Sequence, residues 1–232
     1  MADDYYFAVG QSAIECIDLA LAAAKQPEPT HILDMPSGHG RVLRHLVRRF
    51  PNATLDACDL DQDGIDFCAR QFGATPILSK PDLTTVNFQR TYDLIWVGSL
   101  LTHISRPLFE QWCAFLVTLL SHNGLIVASM HGRYSETVQK THPYISHEIW
   151  DRRIRPNLQS TGYGFAPYET GDEGLHGFIE SDYGISVARP SEVMRIIEAV
   201  PGVRVQFFSE RAWIQHHDIV AFGPPGYDAP PT

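Results

Sequence analysis

The amino-acid sequence predicts an α/β protein, a mostly parallel sheet with helices on both faces and an antiparallel hairpin near the C-terminus. Three observations carry this. From residue 14 to residue 130, short apolar runs alternate with stretches of helical period, as successive βαβ units do. Two late apolar runs, 203–213 and 218–222, are separated by only a short connection, which suits an antiparallel pair and leaves no room for a crossover helix. Finally, 232 residues with 44% hydrophobic and 19% charged side chains have globular composition and enough length to bury a core without disulfides.

The elements follow in order. Ile14, Ile17 and Leu21 recur at helical spacing and give a first helix, broken before Pro27 and Pro29. Residues 31–34 form a short apolar strand that runs into Pro36-Ser-Gly38-His-Gly40. A helix follows, with Val42, Leu43, Leu46, Val47 and Phe50 on its buried face, and Pro51 ends it. Strand 53–59, helix 62–72 and strand 75–79 come next. After a loop come strand 92–99, a helix over 107–121 with proline in its first turn, a turn at Asn123-Gly124, and strand 125–130. The pattern then stops: residues 133–188 show no sustained period and are rich in Gly, His, Tyr and charge. We read them as an insertion within a single domain spanning 1–232. Pro190 opens a last helix before the hairpin, and the Gly-Pro-Pro-Gly and Pro-Pro-Thr segments beyond it read as a frayed tail.

Charge and cysteine usage exclude several classes. With 18 basic against 27 acidic side chains, the formal net charge is −9, which opposes binding of a polyanion and argues against a nucleic-acid partner. Cys16, Cys58, Cys68 and Cys113 form no CxxC pair and no zinc-ligand spacing, and read as buried thiols in a reducing compartment. The start, Met1-Ala-Asp-Asp4, lacks the cationic region of a secretion signal, and no apolar run reaches the ~20 residues of a membrane span. A cytoplasmic location is expected.

The informative stretch is Leu33-Asp-Met-Pro-Ser-Gly-His-Gly-Arg41, between a strand and a helix. Its glycines let backbone approach a ligand, and the helix start presents free N–H groups. Asp59 ends the next strand, where a carboxylate can accept the 2′- and 3′-hydroxyls of a ribose. Together they specify a nucleoside-containing cofactor at the carboxyl edge of the sheet. A nicotinamide dinucleotide usually needs G-x-G-x-x-G, but Pro36 precedes the glycines and Leu43 stands at the third glycine position. Asp34 would repel a diphosphate and suits the ammonium of a methionine moiety. A cation-bearing nucleoside fits better, with a nicotinamide-dependent oxidoreductase and a non-catalytic cofactor-binding partner protein as the alternatives.

On these residues the chain resembles the class I S-adenosylmethionine-dependent methyltransferases, over about 30–132 and again over 185–223. Asp34–Gly40 is similar to their first motif, with Pro36 in place of its first glycine, and Tyr92-Asp-Leu-Ile-Trp96 to their fourth strand. Gly98-Ser-Leu-Leu-Thr-His103 and Met130-His-Gly-Arg133 resemble a subgroup often associated with glycan or small-metabolite modification. The resemblance implies a Rossmann-like seven-stranded sheet whose last pair is the hairpin, with S-adenosyl-L-methionine as cofactor. It implies that Asp34, Gly38, His39 and Gly40 line the methionine and ribose end, and that Asp59 holds the ribose. Leu60 would lie against the adenine, Asp82 would meet the adenine amino group, and Val97, Gly98 and Ser99 would close the site.

For chemistry, a hydroxyl acceptor needs its proton removed, and histidine is suited to that near neutrality. His131, leaving the fifth strand, is the preferred base and His103, after the fourth, the second candidate. His216-His217-Asp218 begins the last strand and is expected on the surface of the hairpin, with one histidine reaching the pocket rim as the alternative. The insertion is expected to cap the acceptor, a small molecule or carbohydrate, with aromatic faces such as Tyr134, Trp150, Tyr163 and Tyr183 and an anion-binding Arg152. Its glycines 162, 164, 171, 174 and 177 suit a moving lid, and a homodimer contact there is the competing use. No HExxH or Cys/His cluster is present in the sequence, so no metal is expected.

Overall fold

The computed structural model of the protein describes residues 2–168 and 183–225. Seven strands form one sheet in the order β3-β2-β1-β4-β5-β9-β8. The parallel part consists of β1 (His31–Met35), β2 (Thr54–Asp59), β3 (Thr75–Leu78), β4 (Tyr92–Val97) and β5 (Leu120–Met130). The chain winds outward from β1 to β3 and then returns to β4 on the other side of β1, so a crevice opens beyond the carboxyl ends of β1 and β4. β8 (Arg204–Trp213) and β9 (His217–Gly223) form the antiparallel pair, with β9 inserted between β5 and β8. The predicted hairpin is therefore present.

Period-two alternation in the strands feeds two separate cores. Leu33, Ile95, Ile126 and Val220 face Phe109, Trp112 and Leu116 of α4 (Arg106–Thr118) and Ile196 of α8 (Pro190–Glu198). Ile32, Leu94, Val127 and Ile219 face Ile14 and Ile17 of α1 (Ala2–Ala23), Leu43 and Leu46 of α2 (Leu43–Arg49) and Cys68 of α3 (Gln62–Phe72). All four cysteines are free and buried, as read from the sequence. Over Asp4–Ala23, α1 is long and apolar enough to cross a membrane, contrary to the expectation that no such run exists. Its apolar stripe instead packs on the sheet.

Two further expectations are corrected. Asn123-Gly124 makes no turn, because β5 runs straight through it. The irregularity is absorbed as a register shift against β4, where a Cβ on Gly124 would lie 2.5 Å from the Tyr92 carbonyl oxygen. Residues 133–168 and 183–188 are also far from structureless. They form α5 (Tyr134–Thr141), a short α6 (His147–Ile149), a π-helical turn (Trp150–Ile154), α7 (Arg155–Ser160) and a two-stranded antiparallel sheet of β6 (Tyr163–Pro167) and β7 (Gly184–Ala188). Trp150, Ile154, Leu158, Ile185 and Val187 give this unit a core of its own, and the Ala188 amide docks it onto the His131 carbonyl at the end of β5. Glycines 171, 174 and 177 of the expected lid, and the Pro-rich tail from 226 onward, lie outside the described residues.

Candidate active site

The loop leaving β1 is held against β2 by its backbone: the Ser37 amide donates to the Cys58 carbonyl at 3.0 Å, and the Gly40 amide turns back to Ser37 at 2.9 Å. Gly38 and Gly40 both have positive φ, +47° and +73°, the region where glycine is unstrained. At Gly38 nothing lies within 4 Å of where a Cβ would stand, so open space borders the loop. Asp59 fixes this arrangement. One carboxylate oxygen accepts the Gly38 amide at 2.7 Å and the other the Asp61 amide at 3.0 Å. Each oxygen keeps a lone pair for a ligand hydroxyl.

Two adjoining cavities meet there, sharing Pro36, Gly38, Asp59 and Ser99. One, of about 320 Å³, has an apolar wall of Leu60, Leu83 and Trp112, with Lys80 and Tyr183 at its border. The Trp112 indole N–H is buried without a hydrogen-bond partner, an open donor on a cavity wall. The other, of about 380 Å³, is lined by Tyr6, His39, Gly98 and Trp213. Gly98 lies flat on Trp96, since a Cβ would come within 2.5 Å of the indole nitrogen. Ser99 turns the chain at φ 59° while its amide donates to Ser129 Oγ at 2.7 Å. A flat apolar slot beside a carboxylate and a glycine loop fits an adenosine, so the residues present suit the implied cofactor.

Of the predicted cofactor residues, Gly38, His39, Asp59, Leu60, Gly98 and Ser99 border this cleft, whereas Gly40 only shapes the loop. Asp34 is placed differently from expectation. Alternation along β1 turns its side chain under the loop toward the start of α2, where it is 1% exposed with neither oxygen hydrogen-bonded, and it lines neither cavity. Burial, reinforced by the Asp59 charge, pushes its carboxyl up to about 8, against the Leu43 amide, which favours the ionised form. Asp82 is likewise occupied elsewhere: it accepts the Thr84 amide and hydroxyl at 3.0 and 2.6 Å, capping the turn Leu83–Thr85, and its neighbours Lys80 and Leu83 line the cleft.

A further cavity of about 340 Å³ lies where β5 ends and β9 begins. His103, His131, His216, His217, Tyr144 and Tyr168 line it, with Tyr5 from α1 at its side. His103 and His131 have ring centroids 6.1 Å apart. The His103 Nδ1–H donates to the Gly184 carbonyl at 2.8 Å, and the ring stacks on Tyr183 at 5.3 Å. Tyr183 also borders the cofactor cleft, so one side chain touches both the cleft and a chamber histidine. Desolvation lowers the His103 pKa, with the Gly184 carbonyl opposing. For His131, burial and then the neighbouring His217, His103 and His216 push it well below the usual value. Both imidazoles are thus biased toward the neutral form. His217 is pushed down to about 3 by burial and by His216 and His103, and His216 is lowered by burial and Arg211. The expectation that His216 and His217 sit on the hairpin surface is overturned, because the start of β9 faces the end of β5.

The expected acceptor contacts divide. Tyr183 borders the cleft and stacks on His103, and Tyr134 flanks His216 at 6.1 Å with the Arg211 guanidinium 3.9 Å over its ring. Tyr163 is buried, donating to the Ile104 carbonyl at 2.9 Å and packing on Phe109. Trp150 is buried in the core of the small unit, and Arg152 is exposed on the π-helical turn and lines none of these cavities. These three do not meet the chamber. Sequence reasoning missed Tyr6, Trp112 and Trp213, which arrive from distant elements and carry no local motif.

Residues 32–124 match a family described as a methyltransferase domain. Over 111 residues the chain is 28% identical to the malonyl-[acyl-carrier protein] O-methyltransferase of Halalkalibacterium halodurans, a match spanning 45% of this chain and 40% of that relative's length. In fold it is similar to an S-adenosylmethionine-dependent methyltransferase from Clostridium acetobutylicum, with TM-score 0.60, 12% identity and 93% and 92% of the two chains covered. It is also similar to the glycopeptide N-methyltransferase MtfA, with TM-score 0.59, 11% identity and 92% and 90% covered.

Proposed function

We propose that the protein, whose residues 32–124 match a methyltransferase domain, is an S-adenosylmethionine-dependent methyltransferase of class I that methylates a hydroxyl of a small molecule or sugar. The observation that supports it best is the link between two spaces, the cleft built on Gly38, Asp59 and Ser99 and the histidine–tyrosine chamber, through Tyr183, which borders the cleft and stacks on His103 of the chamber. S-Adenosylmethionine, when bound, supplies an electrophilic methyl group. The chain's own task is to hold the acceptor oxygen in line and take its proton.

Asp59 is placed for the ribose hydroxyls, with the slot of Leu60, Leu83 and Trp112 for the adenine. Of the two candidate bases the geometry favours His103. Its Nδ1–H is committed to Gly184, which leaves Nε2 as the proton acceptor. His131 is more deeply buried among three other histidines, and its conjugate acid is correspondingly disfavoured. The tyrosines and Ile185 give the chamber the mixed apolar and hydroxyl lining that suits a sugar or small ring.

Calorimetric titration with S-adenosylhomocysteine tests the cofactor assignment. One site per chain with micromolar or tighter binding is expected, and absence of binding by folded protein overturns it. Turnover on hydroxyl acceptors against amine acceptors, assayed with labelled S-adenosylmethionine, then tests the O-methylation reading. Transfer to amines alone would refute it.

A further inference from the structure

The chamber holds more than a base. Among the described residues, His131, His216 and His217 each place one imidazole nitrogen within 4.8 Å of the other two. They cluster where β5 ends and β9 begins, in two adjacent strands of the main sheet, with His131 directly after β5, His216 directly before β9 and His217 its first residue. We propose that these three histidines form a zinc site whose fourth coordination position opens into the acceptor chamber.

Four observations support it. A mutual nitrogen separation of at most 4.8 Å approaches the spacing that three ~2.1 Å zinc–imidazole bonds require. His131 and His217 are buried at 3% and 9% exposure, yet no hydrogen bond joins the three rings, which is an unusual way to spend buried imidazoles. Each ring is also held from outside the cluster, as ligand histidines are. The His131 Nδ1–H donates to the Ser186 carbonyl at 3.1 Å, leaving Nε2 free for a metal. Tyr144 Oη lies 2.6 Å from His216 Nε2, and Ser129 Oγ 3.4 Å from His217 Nδ1. Finally, the cluster is one wall of a 340 Å³ space, so a three-ligand ion keeps an accessible position, the layout of a catalytic rather than a structural site. Three imidazoles favour zinc and its transition-metal neighbours over magnesium or calcium, which prefer oxygen ligands.

The role of the fourth position rests on the methyl-transfer reading; the metal site itself does not. An acceptor hydroxyl bound there would lose its proton to His103. The oxygen lone pair would then form the new C–O bond as the donor's C–S bond breaks, releasing the thioether. The two strand ends lie about 85 residues apart along the chain, so no spacing in the sequence signals the site.

The test uses tag-free full-length protein, stripped with chelator, reloaded with zinc or cobalt(II) and desalted, with metal content measured by mass spectrometry. About one equivalent of zinc per chain, a visible absorption band of four-coordinate cobalt, and at least ~100-fold weaker binding in His216→Ala and His217→Ala are expected. His142→Ala, altering an exposed histidine outside the cluster, should bind as the parent does. Circular dichroism of each variant, with S-adenosylhomocysteine titration as a second check, shows that its fold is kept, and His216→Ala, at the least buried of the three positions, is the variant that decides. Zinc retained equally by folded His216→Ala, or no retention by the parent protein, overturns the proposal. Metal binding without S-adenosylhomocysteine binding would instead count against the methyltransferase reading and leave the site standing.

Discussion

Asp59 illustrates how one side chain serves both the fold and the ligand. Its carboxylate clamps the Gly38 and Asp61 amides while facing both halves of the cleft. Asp59→Ala should weaken S-adenosylhomocysteine binding by about 1–3 kcal/mol, roughly 5- to 150-fold, by removing hydroxyl acceptors and loosening the loop; calorimetry reads this directly. Unchanged affinity would mean that the ribose lies elsewhere. His103 is tested by rate instead: His103→Gln should lower turnover by ~10²-fold or more with S-adenosylhomocysteine affinity kept, the pattern of a lost general base. The loop and Asp59 were legible in the sequence because a strand end, two glycines and an acid fall at fixed offsets. Asp34 was misplaced because strand alternation, and not proximity in sequence, decides which face a side chain joins.

Among the elements, most of the main sheet was readable from its short apolar runs, down to the hairpin at its end, but the first residues of β5 were not, because Ser121-His-Asn-Gly124 breaks the apolar period. The segment after β5 was not. Its helices are three to eight residues long, too short for an amphipathic period to show, and the core of Trp150, Ile154, Leu158 and Ile185 unites residues that no window contains. The same geometry recasts Tyr163 as a pin between β6 and the chain before α4. Tyr163→Phe strands the buried Ile104 carbonyl and should cost about 1–3 kcal/mol in urea unfolding, with KM for the acceptor unchanged. A raised KM at unaltered stability would restore Tyr163 to the acceptor site.

For the molecule as a whole, two buried groups pull its pH dependence in opposite directions. His217 is lowered from 6.5 to about 3 on folding. Between those values the unfolded chain holds a proton that the native state refuses, so stability falls as pH drops, by up to about 1.4 kcal/mol per pH unit. Asp34, raised from 3.8 to about 8, acts oppositely, and stability falls as pH rises through that window. In urea titrations with chelator present, the advantage of the parent over His217→Gln should shrink on acidification below about 6.5, and its advantage over Asp34→Asn should shrink from pH 4 toward 8. Parallel curves for a variant and the parent would show that its group does not titrate in this way. The hairpin's topology reaches further still. Because β9 runs against β5, its first residues meet the last of β5, with Asp218 opposite Met130. On the ribosome, where folding proceeds from the N-terminus, a nascent chain reaching residue 200 can already assemble the glycine loop, Asp59 and β1 to β5. Half of the histidine chamber is still untranslated at that moment. Until the final strand arrives, β5 waits as an open edge and the cleft still lacks the wall that Trp213 supplies.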